Sequence, residues 1–276
     1  MLLRLSSDFR RAMDLSLVLD QEGIDHELRS VGDEQWALLI EDQDAGRAEA
    51  AVAAFERENP VEGRTEPVRS TAGAVACGLV FFLGVLAMHV WTGPASAASP
   101  WFTRGSADAA AILRGEWWRA VTALTLHEDA SHAVGNAVLG GLLLALLARS
   151  IGPGMASAVV LLAGVVGTFA AAGLLRQNFV SIGASTAAFG ALGSLAALPR
   201  QRRRAWLPLG GGLALLAFLG TSKRADLAGH LCGFVCGVLL SAAVSLLPPL
   251  RNRAAQAVLA VAAGSVPVVA WLAAFR

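Results

Sequence analysis

From residue 71 onward the chain is a succession of apolar blocks, each close to the length of a membrane-spanning helix. A helix needs ~20 predominantly apolar residues to cross a bilayer core, with a range of about 17–25. Helices are favoured there because lipid offers no partner for backbone N–H and C=O groups. The blocks fall at 71–92, 132–149, 155–175, 184–198, 205–220, 227–247 and 254–275. They predict an all-α polytopic membrane protein of six core helices plus a seventh, C-terminal one. The composition fits this reading: 55% of residues are hydrophobic and 16% charged, where soluble chains carry about 25% charge. Most of the acids lie before residue 71, so the net charge of +1 describes no real surface. No basic patch interleaved with aromatics is present, so a nucleic-acid partner has no support in the sequence and none is expected.

Residues 1–59 have a different texture and read as a small α+β domain of order βαββα. Leu2–Leu5 suggests a strand, and Asp8–Gln21 has helical spacing with Asp8 as its N-cap. Stretches 24–31 and 35–40 suggest two strands joined near Gly32-Asp33. Residues 43–57 form a second helix with Ala48, Val52 and Phe55 on one stripe. Residues 60–70 are expected to be a linker, 71–247 the six-helix core and 248–276 the additional helix.

Orientation follows from the arginines. Arg200 and Arg202–Arg204 crowd one loop, and Arg251 and Arg253 occupy another; both loops follow an even-numbered span. A cytoplasmic N-terminus places both inside, as the positive-inside rule prefers, with Lys223 and Arg224 a minor violation outside. Residues 1–12 hold no apolar core followed by a small-residue cleavage site, so the N-terminal segment is expected to remain in the cytoplasm. The lipid bilayer is thus the first partner.

Two segments break the simple pattern. Residues 93–131 are too polar to span, yet contain Trp101, Phe102, Trp117 and Trp118. Trp is enriched at headgroup depth, so this segment is expected to lie in the outer interface. The fourth block is short: from Ser185 to Leu198 a helix would extend only ~21 Å. The residues before it, 176–184, must therefore dip into the protein beside a cavity.

Polar groups inside spans are few, and each is a functional candidate by default. His132 and Asn136 lie in the second span, Ser185 in the fourth and His230 in the sixth, with His89 late in the first. Spans two, four and six all run from outside to inside, so the first four residues share one depth. His132 and Asn136, four apart, share a helix face. Gly183-Ala184-Ser185 places a hydroxyl at a helix N-terminus, where free N–H groups can stabilise an oxyanion. Gly229, Gly233 and Gly237 form a small-residue ridge, and Gly190 and Ser194 offer a matching surface. Close packing of spans four and six would bring His230 to Ser185 as the base that a weak hydroxyl nucleophile needs.

The strings Gly115-Glu116-Trp117-Trp118-Arg119, His127-x4-His132-x3-Asn136, Gly183-Ala184-Ser185 and Asp226-x3-His230-x2-Gly233 resemble the rhomboid intramembrane serine proteases in order and spacing over roughly residues 71–247. The resemblance implies Ser185 as nucleophile and His230 as general base in a dyad without a carboxylate. It also implies an oxyanion hole from His132, Asn136 and the Ser185 backbone N–H. Trp118 and Arg119 would lie beside a substrate gate in the outer leaflet, and the βαββα domain is similar to cytosolic domains on some bacterial members. The expected activity is cleavage of transmembrane segments of membrane-protein substrates near the outer face of a bacterial inner membrane, with neither cofactor nor metal.

One residue departs from that pattern. The family motif is Gly-x-Ser-Gly, and the fourth position here is Thr186. A β-branched residue between spans four and six could displace His230, which supports the alternative of a rhomboid-like pseudoprotease that binds clients without cutting. Other chemistries fit less well. His127-Glu128 begins like a zinc motif, but the next histidine is at 132 rather than 131. Cys232 projects about 200° around the helix from His230. Cys77, Cys232 and Cys236 all sit in apolar runs, a poor disulfide framework. A transporter would gather its polar groups at the midplane and show internal repeats.

Overall fold

The computed structural model describes residues 1–6, 9–31, 35–59, 71–97, 99–176, 180–198, 226–250 and 252–276. The chain divides into two compact units, Met1–Pro67 and Val68–Arg276. Several expectations lie outside the described residues: the Asp8 cap, the turn at 32–33, the linker, the arginine loop at 200–204, the fifth span at 205–220, Lys223, Arg224 and Arg251.

The first unit runs β1 (Leu2–Ser6), α1 (Phe9–Gln21), β2 (His26–Ser30), β3 (Trp36–Ile40) and α2 (Ala45–Glu58). Its strands form an antiparallel sheet of order β1-β3-β2. Ala48 and Val52, one turn apart on α2, are fully buried against Leu19 and Leu38, with Phe55 packed beside them. Leu38 and Ile40, two apart on β3 and so on one face, join the core cluster with Leu15 and Leu19 of α1 and Ala48 and Val52 of α2.

The second unit is helical. It comprises α3 (Thr71–Thr92), α4 (Pro100–Gly105), β4 (Ala107–Asp108), α5 (Ala109–Leu113), α6 (Arg119–Thr122), α7 (Ala130–Ile151), α8 (Pro153–Leu175), β5 (Val180–Ser181), α9 (Ser185–Ala197), α10 (Leu227–Ser245) and α11 (Arg253–Ala274). Among the described residues five helices, α3, α7, α8, α10 and α11, are long and apolar enough to cross a membrane. Side-chain caps fix where several begin. Asp129 accepts from His132 N at 2.8 Å, Asp226 from Gly229 N at 2.6 Å, and Asn252 from Ala254 N at 2.8 Å.

Large apolar side chains such as Val80, Leu83, Leu142 and Leu239 face outward, while small residues line the helix contacts. That is the arrangement expected where lipid removes the hydrophobic force between helices and close packing must replace it. A Cβ on Gly78 would meet the Gly141 carbonyl of α7, and one on Gly167 would fall 2.8 Å from Gly233 of α10. The short α9 is the enclosed helix: every residue from Thr186 to Leu195 is buried. Ahead of it, β5 pairs antiparallel with β4, and burial sets in only after β5, at Gly183 and Ala184. Among the described residues between α3 and α7 the chain forms short helices and the strand β4.

Candidate active site

Gly183 carries φ +118°, a left-handed conformation that glycine tolerates freely. It turns the chain from β5 into α9, whose first residue is Ser185. Two backbone bonds hold this turn from one side. Gly183 N–H donates to the Ala123 carbonyl at 2.8 Å, and Ala184 N–H donates to His127 Nε2 at 3.3 Å. As the opening residue of a helix, Ser185 has an N–H beyond reach of any intrahelical carbonyl.

His230 lies in the first turn of α10, buried, with its Nε2 2.7 Å from Ser185 Oγ. Its other nitrogen, Nδ1, meets no hydrogen-bond partner among the described residues. Phe189, one turn beyond Ser185 on α9, stacks on the imidazole with centroids 4.6 Å apart and planes 20° from parallel. The ring is thus gripped by two residues of one helix face.

Close approach of α9 and α10 is what allows this. A Cβ on Gly233 would lie 2.2 Å from the Thr186 carbonyl, and one on Gly237 would lie 1.9 Å from that of Gly190. Ser194 Oγ adds a bond to the Gly237 carbonyl at 3.1 Å. The expected ridge needs one amendment: Gly229 faces its own cap, with Asp226 Oδ2 2.1 Å from where a Cβ would stand, rather than α9. Thr186 is buried with its methyl group 3.0 Å from the Cβ position of Gly233. Because Gly233 leaves that space empty, the β-branched residue fits and the Ser185–His230 distance stays at 2.7 Å.

His132 and Asn136 converge on the same turn. A Cβ on Gly183 would lie 2.9 Å from His132 Nε2 and 3.5 Å from Asn136 Nδ2. His132 Nδ1 accepts from Glu128 N–H at 3.4 Å, which leaves Nε2 as the proton-bearing donor facing the turn. Asn136 is buried, and Nδ2 also donates to the His132 carbonyl at 3.1 Å.

Three residues contribute in ways that the sequence reading did not assign, although His127 and Asp226 stand in its motif strings. His127 is fully buried and bonds the backbone next to Ser185. Burial pushes its imidazole down to about 3, helped by repulsion from His132 and His89; the Thr125 backbone opposes this slightly without meeting hydrogen-bond geometry. Asp226 accepts from Ser181 Oγ at 2.5 Å, joining the start of α10 to β5. Phe189 is the third. None sits in a periodic pattern that distinguishes it from core.

Trp118 and Arg119 lie outside this cluster. Arg119 pairs with Glu116 at 2.7 Å and donates to the carbonyls of Ser106 and Thr103 at 3.0 and 3.1 Å. Trp118 Nε1 donates to the Arg104 carbonyl at 3.3 Å. Both therefore knit the segment between α3 and α7 together. Among the described residues no group of three His, Cys, Asp or Glu side chains could hold a metal ion, and all three cysteines are free.

The apolar helices define an integral membrane protein, in which a buried His230 meets a partly buried Ser185. Residues 114–246, just under half of the chain, match the Rhomboid domain. Rhomboid protease GluP of Bacillus subtilis (strain 168) is 28% identical over 148 residues, covering 51% of this chain and 29% of that protein. Rhomboid-like protease 3 of Toxoplasma gondii is 32% identical over 148 residues, covering 49% of this chain and 55% of that protein. The matched region thus spans less than two thirds of either relative.

Proposed function

We propose that the chain is an intramembrane serine endopeptidase that cleaves transmembrane segments of other membrane proteins. The observation that carries this reading is the 2.7 Å contact between His230 Nε2 and Ser185 Oγ beside the donors of His132 and Asn136. A serine hydroxyl is a weak nucleophile until a base takes its proton. In the proposed reaction His230 Nε2 accepts the Ser185 proton as Oγ bonds to the scissile carbonyl carbon. The oxyanion that forms is met by His132 Nε2, Asn136 Nδ2 and the Ser185 backbone N–H. The C–N bond then breaks, the proton passes from His230 to the leaving amine, and water hydrolyses the acyl-enzyme.

Substrate carbonyls in an intact helix are occupied by their own i→i+4 bonds, so the segment to be cut has to unwind locally. Trp118 and Arg119 are assigned to the entry side of the site. In this reading the N-terminus is cytoplasmic and cleavage falls near the outer face, supported by the arginine distribution and the common depth of the four polar residues; the bilayer is taken to be a bacterial inner membrane on the likeness to the Bacillus subtilis relative.

Fluorophosphonate labelling of the detergent-solubilised protein tests this without a known substrate. Labelling of wild type that is lost in Ser185→Ala and His230→Ala is expected. A folded wild type that does not label, while Thr186→Gly does, would replace this reading with that of a client-binding pseudoprotease.

A further inference from the structure

Helix α11 lies wholly beyond the matched residues 114–246, yet it is tied to the bundle at both ends. Near its start, Gln256 is buried against the α7–α8 turn. Its Oε1 accepts from Met155 N–H at 3.0 Å, and its Nε2 donates to the Ile151 and Leu250 carbonyls at 3.2 and 3.1 Å. A Cβ on Gly154 would fall 1.9 Å from the Gln256 carbonyl, so the two backbones are nearly in contact.

At the far end, Trp271 Nε1 donates to Thr125 Oγ1 at 3.1 Å, a contact between residues 146 positions apart. Thr125 Oγ1 spends its own proton on the Thr122 carbonyl at 2.7 Å, so its lone pair is free to accept the indole. The indole fits because Gly105 has no side chain: a Cβ there would be 2.2 Å from the ring. Arg104 closes the end by donating to the Ala274 carbonyl at 3.1 Å. The segment that Trp271 grips is the one that holds the nucleophile's turn. Ala123 accepts from Gly183 N–H and His127 from Ala184 N–H, both within two residues of Thr125. Ile182, just ahead of Gly183, packs against the cluster of Leu126, Trp271 and Ala274.

We propose that Trp271 is a positioning residue, through which α11 fixes the Ala123–His127 segment and hence the Gly183–Ala184 backbone that presents Ser185. The inference rests on the reading of Ser185 as nucleophile. Trp271 touches no reacting atom; it acts through Thr125. Misplacement of a nucleophile by ~1 Å can cost about a hundredfold in rate, so loss of a single hydrogen bond in the supporting segment is expected to cost about threefold to tenfold.

The test uses the full chain in detergent and compares Trp271→Phe, which keeps a ring but removes the N–H, with Thr125→Val, Thr125→Ser and the double variant Trp271→Phe/Thr125→Val. Leu272→Ala, at an exposed position on the same helix, is the control. Three quantities are read: the fluorophosphonate labelling rate, amide hydrogen exchange in the peptide spanning 183–185, and the thermal midpoint. Trp271→Phe is expected to slow labelling about threefold to tenfold and to speed exchange at 183–185 with the midpoint nearly unchanged. The double variant should be no worse than Thr125→Val alone, because both substitutions break the same contact. Thr125→Ser should recover most of what Thr125→Val loses. Wild-type exchange and labelling in Trp271→Phe would overturn the proposal, as would a labelling loss that only tracks a fall in midpoint. Should wild type fail to label, the protease reading fails, and the exchange comparison still decides whether Trp271 holds the turn.

Discussion

Phe189 stacks on the His230 imidazole at 4.6 Å and 20° while Ser185, one turn earlier on the same helix, meets the ring's Nε2 at 2.7 Å. One helix thus supplies both the group to be deprotonated and the wall that orients the base. The stack substitutes for an acceptor on Nδ1, which meets none among the described residues. Phe189→Leu preserves most of the buried volume but removes the flat face. It is expected to lower the fluorophosphonate labelling rate about tenfold, a scale set by how steeply rate depends on alignment. An unchanged rate in a folded Phe189→Leu protein would mean that the hydrogen bond alone orients the ring.

His132 and Asn136 should behave as oxyanion donors rather than as helix packing. Removing one such donor in a preorganised site typically costs about 10²–10³ in rate. Asn136→Ala and His132→Ala are each expected to reduce acylation by that order while leaving the Ser185–His230 pair intact. The check is a labelling time course on folded protein; full-rate labelling of either variant would remove that residue from the site.

The five described spans were legible because each is a local property: about 20 apolar residues in a row need no partner to be recognised. The site was legible for a related reason. A serine, two histidines and an asparagine at the same end of three co-directional helices must share a depth, whatever the packing. What escaped is non-local. His127 reaches Ala184 across 57 positions, Ser181 reaches Asp226 across 45, and Trp271 reaches Thr125 across 146, with no spacing to announce any of them. Thr186 shows the opposite case. Alone it reads as a steric threat, and only the empty Cβ position of Gly233 on another helix removes it.

That fit makes the glycine ridge unequal in its demands. Gly233→Ala would place a methyl 2.2 Å from the Thr186 carbonyl, and Gly237→Ala one 1.9 Å from that of Gly190; both neighbours are backbone and cannot step aside. Overpacking of this kind costs about 1–3 kcal/mol or more. Both variants should lower the thermal midpoint, and Gly233→Ala should also slow labelling by moving α10 and its His230 outward. Gly264→Ala meets nothing within 4 Å and replaces glycine inside a helix, so it is expected to be neutral or slightly stabilising.

His127 sets an acid limit on stability, with a sign that follows from its burial. Its folded-state value is pushed down to about 3, while an unfolded histidine titrates near 6.5. The unfolded chain therefore binds this proton first as pH falls. The contribution is fully present above about pH 6.5 and declines by about 1.4 kcal/mol per pH unit below it, until the folded value is reached. Between pH 6.5 and 5 the expected loss is about 2 kcal/mol. His127→Asn removes the titrating group and should flatten the dependence of the thermal midpoint on pH over that window, although its midpoint at pH 7 will be lower because Ala184 N–H loses its acceptor. Protonation of His127 would turn Nε2 from acceptor to donor and break its bond to Ala184 N–H, so equal slopes for wild type and His127→Asn would show that His127 does not carry the acid sensitivity.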